Sequence, residues 1–177
     1  MILVIVGSQH FQFNRLLREM DNLVEQGVIK GEVFAQTGHS DYNPRNYAYV
    51  DFLDTTDYMQ KIRDSDLIVC HGGVGAIIPA LKENKKIIAI PRLEKFNEHI
   101  DDHQMEIIGY FSKKNLLYRI DSVESLGNAV AEVGLSRFSK MEFQNEKMLD
   151  LVGSELKISN VGQKKGFLRV LKCLFFG

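Results

Sequence analysis

The sequence predicts an α/β fold: a Rossmann-like parallel sheet with helices on both faces, followed by an amphipathic helix at the carboxyl end. Three observations carry that prediction. Short runs rich in Ile, Val and Leu alternate with segments of helical periodicity, which is the order of a wound parallel sheet. The runs at residues 2–6 and 67–70 are unbroken, as in strands buried on both faces. Each of these runs gives way to small residues, Gly7-Ser8 after the first and His71-Gly72-Gly73-Val74-Gly75 after the second.

Taken in order, residues 2–6 form the first strand, and Gly7-Ser8 turns the chain out of it. Phe13, Leu16, Leu17, Met20, Leu23 and Val24 recur at three- and four-residue spacing, a helix that Gly27 stops. Residues 32–35 read as a strand, residues 37–46 as a loop rich in Gly, Asp, Asn and Pro, and residues 49–52 as a short strand. A helix follows over 56–63, then the second buried strand over 67–70 and a helix over 76–84. Strand 87–90, helix 100–111, strand 116–119 and helix 123–133 complete the alternation. No repeat or second domain is visible, so residues 1–155 read as one α/β domain and residues 156–177 as a basic amphipathic tail.

With 177 residues, 45% hydrophobic and 25% charged, the chain has enough apolar residues for a core and no disordered tract. A net charge of −1 gives no basis for a nucleic-acid surface. The charge is unevenly placed. Residues 1–155 hold 17 Lys and Arg against 23 Asp and Glu, whereas Lys157, Lys164, Lys165, Arg169 and Lys172 follow with no acid. Phe167, Val170, Leu171, Leu174 and Phe175 form one helical stripe with Lys165, Arg169 and Lys172 lying off it. Such a helix is too short to span a bilayer. It can lie on an anionic membrane surface through residues 164–177, dock on a partner, or pack back on its own domain. Cys70 and Cys173 cannot form a disulfide framework, which fits a reducing compartment. Residues 1–6 lack a basic n-region and a cleavage site, so no signal peptide is expected.

Ligands of open parallel sheets bind outside the carboxyl ends of the strands. Gly7-Ser8, Gln36-Thr37-Gly38, His71 to Gly75 and Pro91-Arg92 all fall at such ends, so four loops converge on one edge. The glycine turn before the 76–84 helix aims backbone N–H groups and the positive end of a helix dipole at an anion, with a diphosphate as the obvious guest. Asp102, His103 and Gln104 would extend the same rim, where a sugar carried by the diphosphate is read through its hydroxyls. His99 and His103 are spaced as two metal ligands on a helix face would be, but no third ligand is marked and no metal is expected. The pair Asp101-Asp102 reads as a helix-start feature. A dinucleotide fingerprint is not matched, because the first turn is Gly7-Ser8-Gln9-His10 and Ile78 holds the third-glycine place after Gly73 and Gly75; Gly-Lys-Ser/Thr is absent, which excludes a phosphate-loop NTPase.

Gln36-Thr37-Gly38, Ser65-Asp66-Leu67-Ile68-Val69, His71-Gly72-Gly73-Val74-Gly75, Ile90-Pro91-Arg92 and Phe96-Asn97-Glu98-His99-Ile100-Asp101-Asp102-His103-Gln104 together resemble the carboxyl-terminal, donor-binding half of the GT-B glycosyltransferases of family 28. The resemblance is to the small stand-alone subunits of two-component transferases, the eukaryotic Alg13 type and the PssE, EpsF and CpsG-like proteins of exopolysaccharide and capsule synthesis. The opening, Val6-Gly7-Ser8 and then Phe13-Asn14-Arg15-Leu16, is similar too. The resemblance implies a UDP-sugar donor, no further cofactor, a lipid-linked saccharide acceptor, and a membrane-anchored acceptor-binding subunit of the Alg14 or PssD type. It implies a place at the cytoplasmic face of the membrane. By the same resemblance the amides of Gly73, Val74, Gly75 and Ala76 hold the diphosphate, Pro91-Arg92 lies by the base, His103-Gln104 bonds the donor sugar, and Gly7 and Ser8 face the cleft.

Two positions depart from the family pattern. Many relatives carry Ser or Thr where Ala76 stands and Glu where Pro79 stands, a carboxylate that clasps the ribose. Losing that bond costs roughly 1.5–3 kcal/mol of donor affinity. Pro79 is sterically acceptable if its helix begins near Gly75, in whose first turn N–H groups have no intrahelical partner to lose.

One domain offers one wall of a cleft, whereas group transfer needs a second to bind the acceptor, exclude water and supply a base. A partner is therefore expected to bring the general base, and no catalytic base is assigned within the chain. His71 and Arg92 are candidates for stabilising the leaving group. The competing reading is a scaffold subunit, a donor domain altered at Ala76 and Pro79 that only positions a transferase partner.

Overall fold

The computed structural model describes residues 1–141, and the expected tail helix lies outside them. Within this range the strands are β1 (Ile2–Ile5), β2 (Val33–Gln36), β3 (Ala48–Val50), β4 (Leu67–His71), β5 (Lys86–Ile90) and β6 (Tyr118–Arg119). They form one parallel sheet in the order β3-β2-β1-β4-β5-β6. The helices are α1 (Asn14–Glu25), α2 (Thr55–Asp64), α3 (Val74–Lys82), α4 (His103–Lys113) and α5 (Leu126–Leu135).

The unbroken apolar strands have a direct physical cause. Successive side chains point to opposite faces of a sheet, and both faces are covered here. Leu3, Ile5, Ile68, Cys70, Ile87 and Ala89 pack with residues of α2, α3 and α4. Val4, Val6, Val69, Ile88 and Ile90 pack with residues of α1 and α5 on the other face. Winding starts at β1, runs outward to β3, then crosses to β4 and runs outward to β6. The reversal point is therefore the seam between β1 and β4, and the crevice lies beyond the ends of those strands. Among the described residues no helix is long and apolar enough to cross a membrane.

Among the described residues the expected strands and helices are present, with three informative differences. The helix expected from residue 100 begins at His103. Ile100 is 63% exposed, and Asn97, at φ 55°, closes a 3-10 turn over Glu94–Phe96 before it. His99 therefore precedes the helix, and the reading of His99 and His103 on one helical face does not hold. The segment 123–133 opens as a 3-10 turn, Val123–Ser125, before α5.

The third difference concerns Pro79. α3 begins at Val74 with Gly73 as its N-cap, so Pro79 is its sixth residue and lies beyond the first turn. An ordinary residue there would donate its N–H to the Gly75 carbonyl, and proline cannot. The stranded acceptor is taken by Tyr58 of α2, whose hydroxyl donates to Gly75 O at 3.0 Å. Burial pushes the Tyr58 pKa upward, which keeps that proton in place. Tyr58→Phe is expected to cost about 0.5–1.5 kcal/mol in urea unfolding. Adding Pro79→Ala, which restores the helical N–H, should cancel most of that loss; equal losses in both backgrounds would show that the hydroxyl does not replace the missing bond.

Candidate functional site

The crevice is organised around His71, the last residue of β4, which is 7% exposed. Its Nδ1 lies 3.2 Å from the carbonyl oxygen of Ile5 at the end of β1. A carbonyl can only accept, so Nδ1 carries the proton and Nε2 is left with a lone pair. Burial, followed by the nearby charge of Arg92, pushes the His71 pKa down to about 3, against the pull of the Ile5 bond. The ring is neutral and bridges the seam between the two halves of the sheet.

This ring explains two glycines. A Cβ on Gly73 would lie 2.2 Å from Nε2, and one on Gly7 would lie 2.8 Å from the same atom. Gly7 also has φ +93°, a conformation that side chains disfavour. Beyond them the first α-helical bond of α3 runs from Ile77 N–H to Gly73 O at 3.2 Å, and Ala76 N–H reaches the same oxygen at 3.0 Å. The N–H groups of Val74 and Gly75 precede these bonds and point out of the helix end. Of the four expected amide donors, that of Ala76 is therefore turned back on Gly73. A Cβ on Gly75 would meet nothing within 4 Å, so open space lies over this end.

Gln104, in the first turn of α4 and 4% exposed, ties two loops together. Its Oε1 accepts the N–H of Gly72 at 3.2 Å and of Arg92 at 3.0 Å. Two donors on one atom identify that atom as the oxygen. Only the NH2 of this amide is left for the sugar contact that the resemblance implies. His103 is the first residue of α4. Asp102 accepts the Glu94 N–H at 2.9 Å and so holds the 3-10 turn. His99 is held locally, its Nδ1 3.0 Å from Asp101 Oδ1, with its ring 5.4 Å from that of Phe11.

The loop from Pro91 is clamped by two residues that the sequence reading left without a role. Arg15 of α1 donates through Nε to both oxygens of Glu98, at 2.7 and 3.0 Å, and through Nη2 to the Pro91 carbonyl at 2.6 Å. Glu98, 1% exposed, also accepts the Leu93 N–H at 3.1 Å. Burial raises the Glu98 pKa, with the Arg15 bond opposing it. Arg92, 1% exposed, reaches Gln9 through Nη2 at 3.2 Å. Gln36 ends β2, and behind it Gly38 sits so close that a Cβ would be 2.4 Å from the Gly7 carbonyl. The loops after β1, β2, β4 and β5 thus meet as expected, and Ser8 stands exposed on the first of them. Arg15 and Glu98 both lie in segments that carry the resemblance, but 83 positions apart. Among the described residues, no group of three or more His, Cys, Asp or Glu could hold a metal ion.

A parallel sheet with an open helix amino terminus at its reversal point agrees with what the family comparison finds. The description "Glycosyltransferase family 28 C-terminal domain" matches residues 1–157. The chain belongs to this family. It is 32% identical over 117 residues to the UDP-N-acetylglucosamine transferase subunit ALG13 of Candida albicans, a match covering 65% of this chain and 36% of that protein. Two solved structures share the fold. The glycotransferase of kitacinnamycin matches with a TM-score of 0.53 at 17% identity, over 98% of this chain and 40% of that one. MurG of Acinetobacter baumannii matches with a TM-score of 0.52 at 12% identity, over 96% of this chain and 49% of that one. The family 28 domain thus spans less than half the length of each of these proteins, and its sheet is the Rossmann-like half of a GT-B architecture.

The glycine geometry gives a stability test by urea unfolding. Gly73→Ala drives a methyl into the His71 ring and is expected to cost about 1–3 kcal/mol, the range for overpacking, with part recovered in a His71→Ala background. Gly75→Ala is expected to be neutral or to gain up to about 1 kcal/mol from helix propensity. A second test follows from His71 itself. Its folded pKa of about 3 lies below the ordinary 6.5, so the unfolded chain takes up the proton first. The resulting stability is fully present above about pH 6.5 and falls as the pH drops from there toward 3. Thermal unfolding across that window should show a shallower fall for His71→Gln than for the unaltered chain.

Proposed function

We propose that this chain is the donor-binding subunit of a two-component, inverting glycosyltransferase that uses a UDP-sugar. The observation that carries the reading is the open amino terminus of α3 at the reversal point of a family 28 domain, with the N–H groups of Val74 and Gly75 ahead of the first helical bonds. Such a terminus stabilises a diphosphate in the bound donor, and more so when it leaves carrying the electron pair of the broken bond. The acceptor hydroxyl oxygen attacks the anomeric carbon from the face opposite the diphosphate, the bond from that carbon to the phosphate oxygen breaks, and the hydroxyl proton passes to a base. Direct displacement inverts the anomeric configuration. The base and the acceptor site come from a membrane-anchored partner that covers the carboxyl edge.

The name of the curated relative, a transferase subunit using UDP-N-acetylglucosamine, supports both the partner and the nucleotide. A hexose or its N-acetylamino form as the transferred sugar, a lipid-linked saccharide as acceptor, and an exopolysaccharide or capsule as product complete the reading. The chain works at the cytoplasmic face of the membrane, where its basic carboxyl-terminal segment meets anionic lipid or the partner.

Titration calorimetry with UDP and a panel of UDP-sugars, UDP-N-acetylglucosamine first, tests this on the chain alone and on the complex captured with its partner. Saturable binding of one UDP-sugar is expected. Gly75→Glu places a carboxylate in open space at the α3 terminus and should weaken that binding about tenfold or more while the fold stays intact. Absence of UDP-sugar binding in the complex as well as in the chain would leave the scaffold reading instead.

A further inference from the structure

Arg92 is the one residue among those described with buried side-chain polar atoms that lack a partner. Its side chain is 1% exposed, yet Nε and Nη1 have no hydrogen-bond partner. A guanidinium presents five donors in a rigid fork, and a buried charge with unpaired donors is costly. Native structures carry few such groups, and each has a reason. Glu98 offsets part of the charge, its carboxylate raising the Arg92 pKa against burial, but it bonds neither Nε nor Nη1, and its oxygens hold Arg15 and the Leu93 N–H.

The surroundings indicate what the fork is for. The Arg92 N–H shares the Gln104 oxygen with the Gly72 N–H, so the residue is one acceptor away from the turn into α3. Its charge depresses the His71 pKa, and the Nε2 of that ring lies against Gly73. Gln104 and His71 thus link Arg92 and the turn into α3 at the same carboxyl edge. The one partner of the fork among the described residues, Gln9 Oε1 at 3.2 Å, is a neutral acceptor on an exposed loop, the kind of contact that a stronger acceptor displaces.

We propose that Arg92 is a phosphate-reading group of the donor site, covered by Gln9 in the ligand-free chain, and that a phosphoryl oxygen takes its fork when loop 8–10 lifts away. The inference rests on the donor-site reading and deepens it. Of the two places that the sequence gives Arg92, beside the base by resemblance and at the leaving group, it selects the second: a base edge offers neutral acceptors, whereas the planar fork and fixed charge of arginine match phosphate.

The test follows the Arg92 side-chain Nε–H resonance of the full chain by NMR while inorganic pyrophosphate, UDP and uridine are added separately. Pyrophosphate and UDP are expected to shift it and uridine to leave it unmoved. Arg92→Lys should weaken pyrophosphate and UDP about tenfold with uridine unaffected, and Gln9→Ala should tighten pyrophosphate about twofold to tenfold. Should Arg92→Lys not fold, the resonance and the Gln9→Ala titration still decide. UDP shifting the amides of Val74 and Gly75 while the Arg92 signal stays fixed would overturn the assignment and keep the donor site. A shift with pyrophosphate in a chain that ignores UDP would support Arg92 and sink the donor reading. A response to uridine, or to none of the three, would overturn the proposal.

Discussion

One carboxamide oxygen sets the geometry of the carboxyl edge. At the ends of β4 and β5 the strand ladder stops, and the N–H groups of Gly72 and Arg92 would be buried with nothing to bond. Oε1 of Gln104 accepts both, which draws the first turn of α4 down onto the β4 loop. The approach is so close that a Cβ on Gly72 would lie 2.7 Å from that of Gln104. Arg15 holds the far side of the β5 loop through the Pro91 carbonyl and through Glu98. The loop is therefore fixed from α4 and α1 at once, and donors on it are pre-aimed before a ligand arrives.

The parts of this arrangement that were legible in the sequence are those set by short-range physics. A strand buried on both faces must be apolar without interruption, so β1, β4 and β5 could be read directly, and the loops at their ends followed. The glycines at 7 and 73 were legible as turns. Their cause, the edge of the His71 ring between them, depends on a side chain that no local pattern describes. Arg15 and Glu98 stand 83 positions apart, and periodicity carries no information about such a pairing. The α4 boundary failed for a different reason. Ile100 has the right spacing to extend the apolar stripe, but the bonds between His99 and Asp101 and the left-handed Asn97 offer the backbone a local alternative to the helix.

Pro79 shows how a departure from a family pattern can be absorbed by the fold. The residue removes a helical donor inside α3, and the neighbouring helix supplies a hydroxyl for the abandoned carbonyl. The substitution is thus compatible with an intact α3 amino terminus, and any change in ribose contact is separate from the integrity of the phosphate end. The same holds for Ala76, whose side chain is buried in the core beneath the turn while the open donors belong to the residues just before it.

Charge decides which anions such an edge can attract. Arg15 and Arg92 share a buried neighbourhood with one carboxylate, that of Glu98, and the neutral His71 adds nothing to the count. The cluster therefore keeps a net positive charge beside a helix amino terminus that is itself positive. It lies in a chain whose residues 1–155 hold six more acids than bases. That excess of acids works against an extended polyanion laid across these residues. A compact anion can reach the positive focus alone. The distribution thus favours a small anion over an extended one at this edge, and that preference begins with where the chain places two arginines and one glutamate.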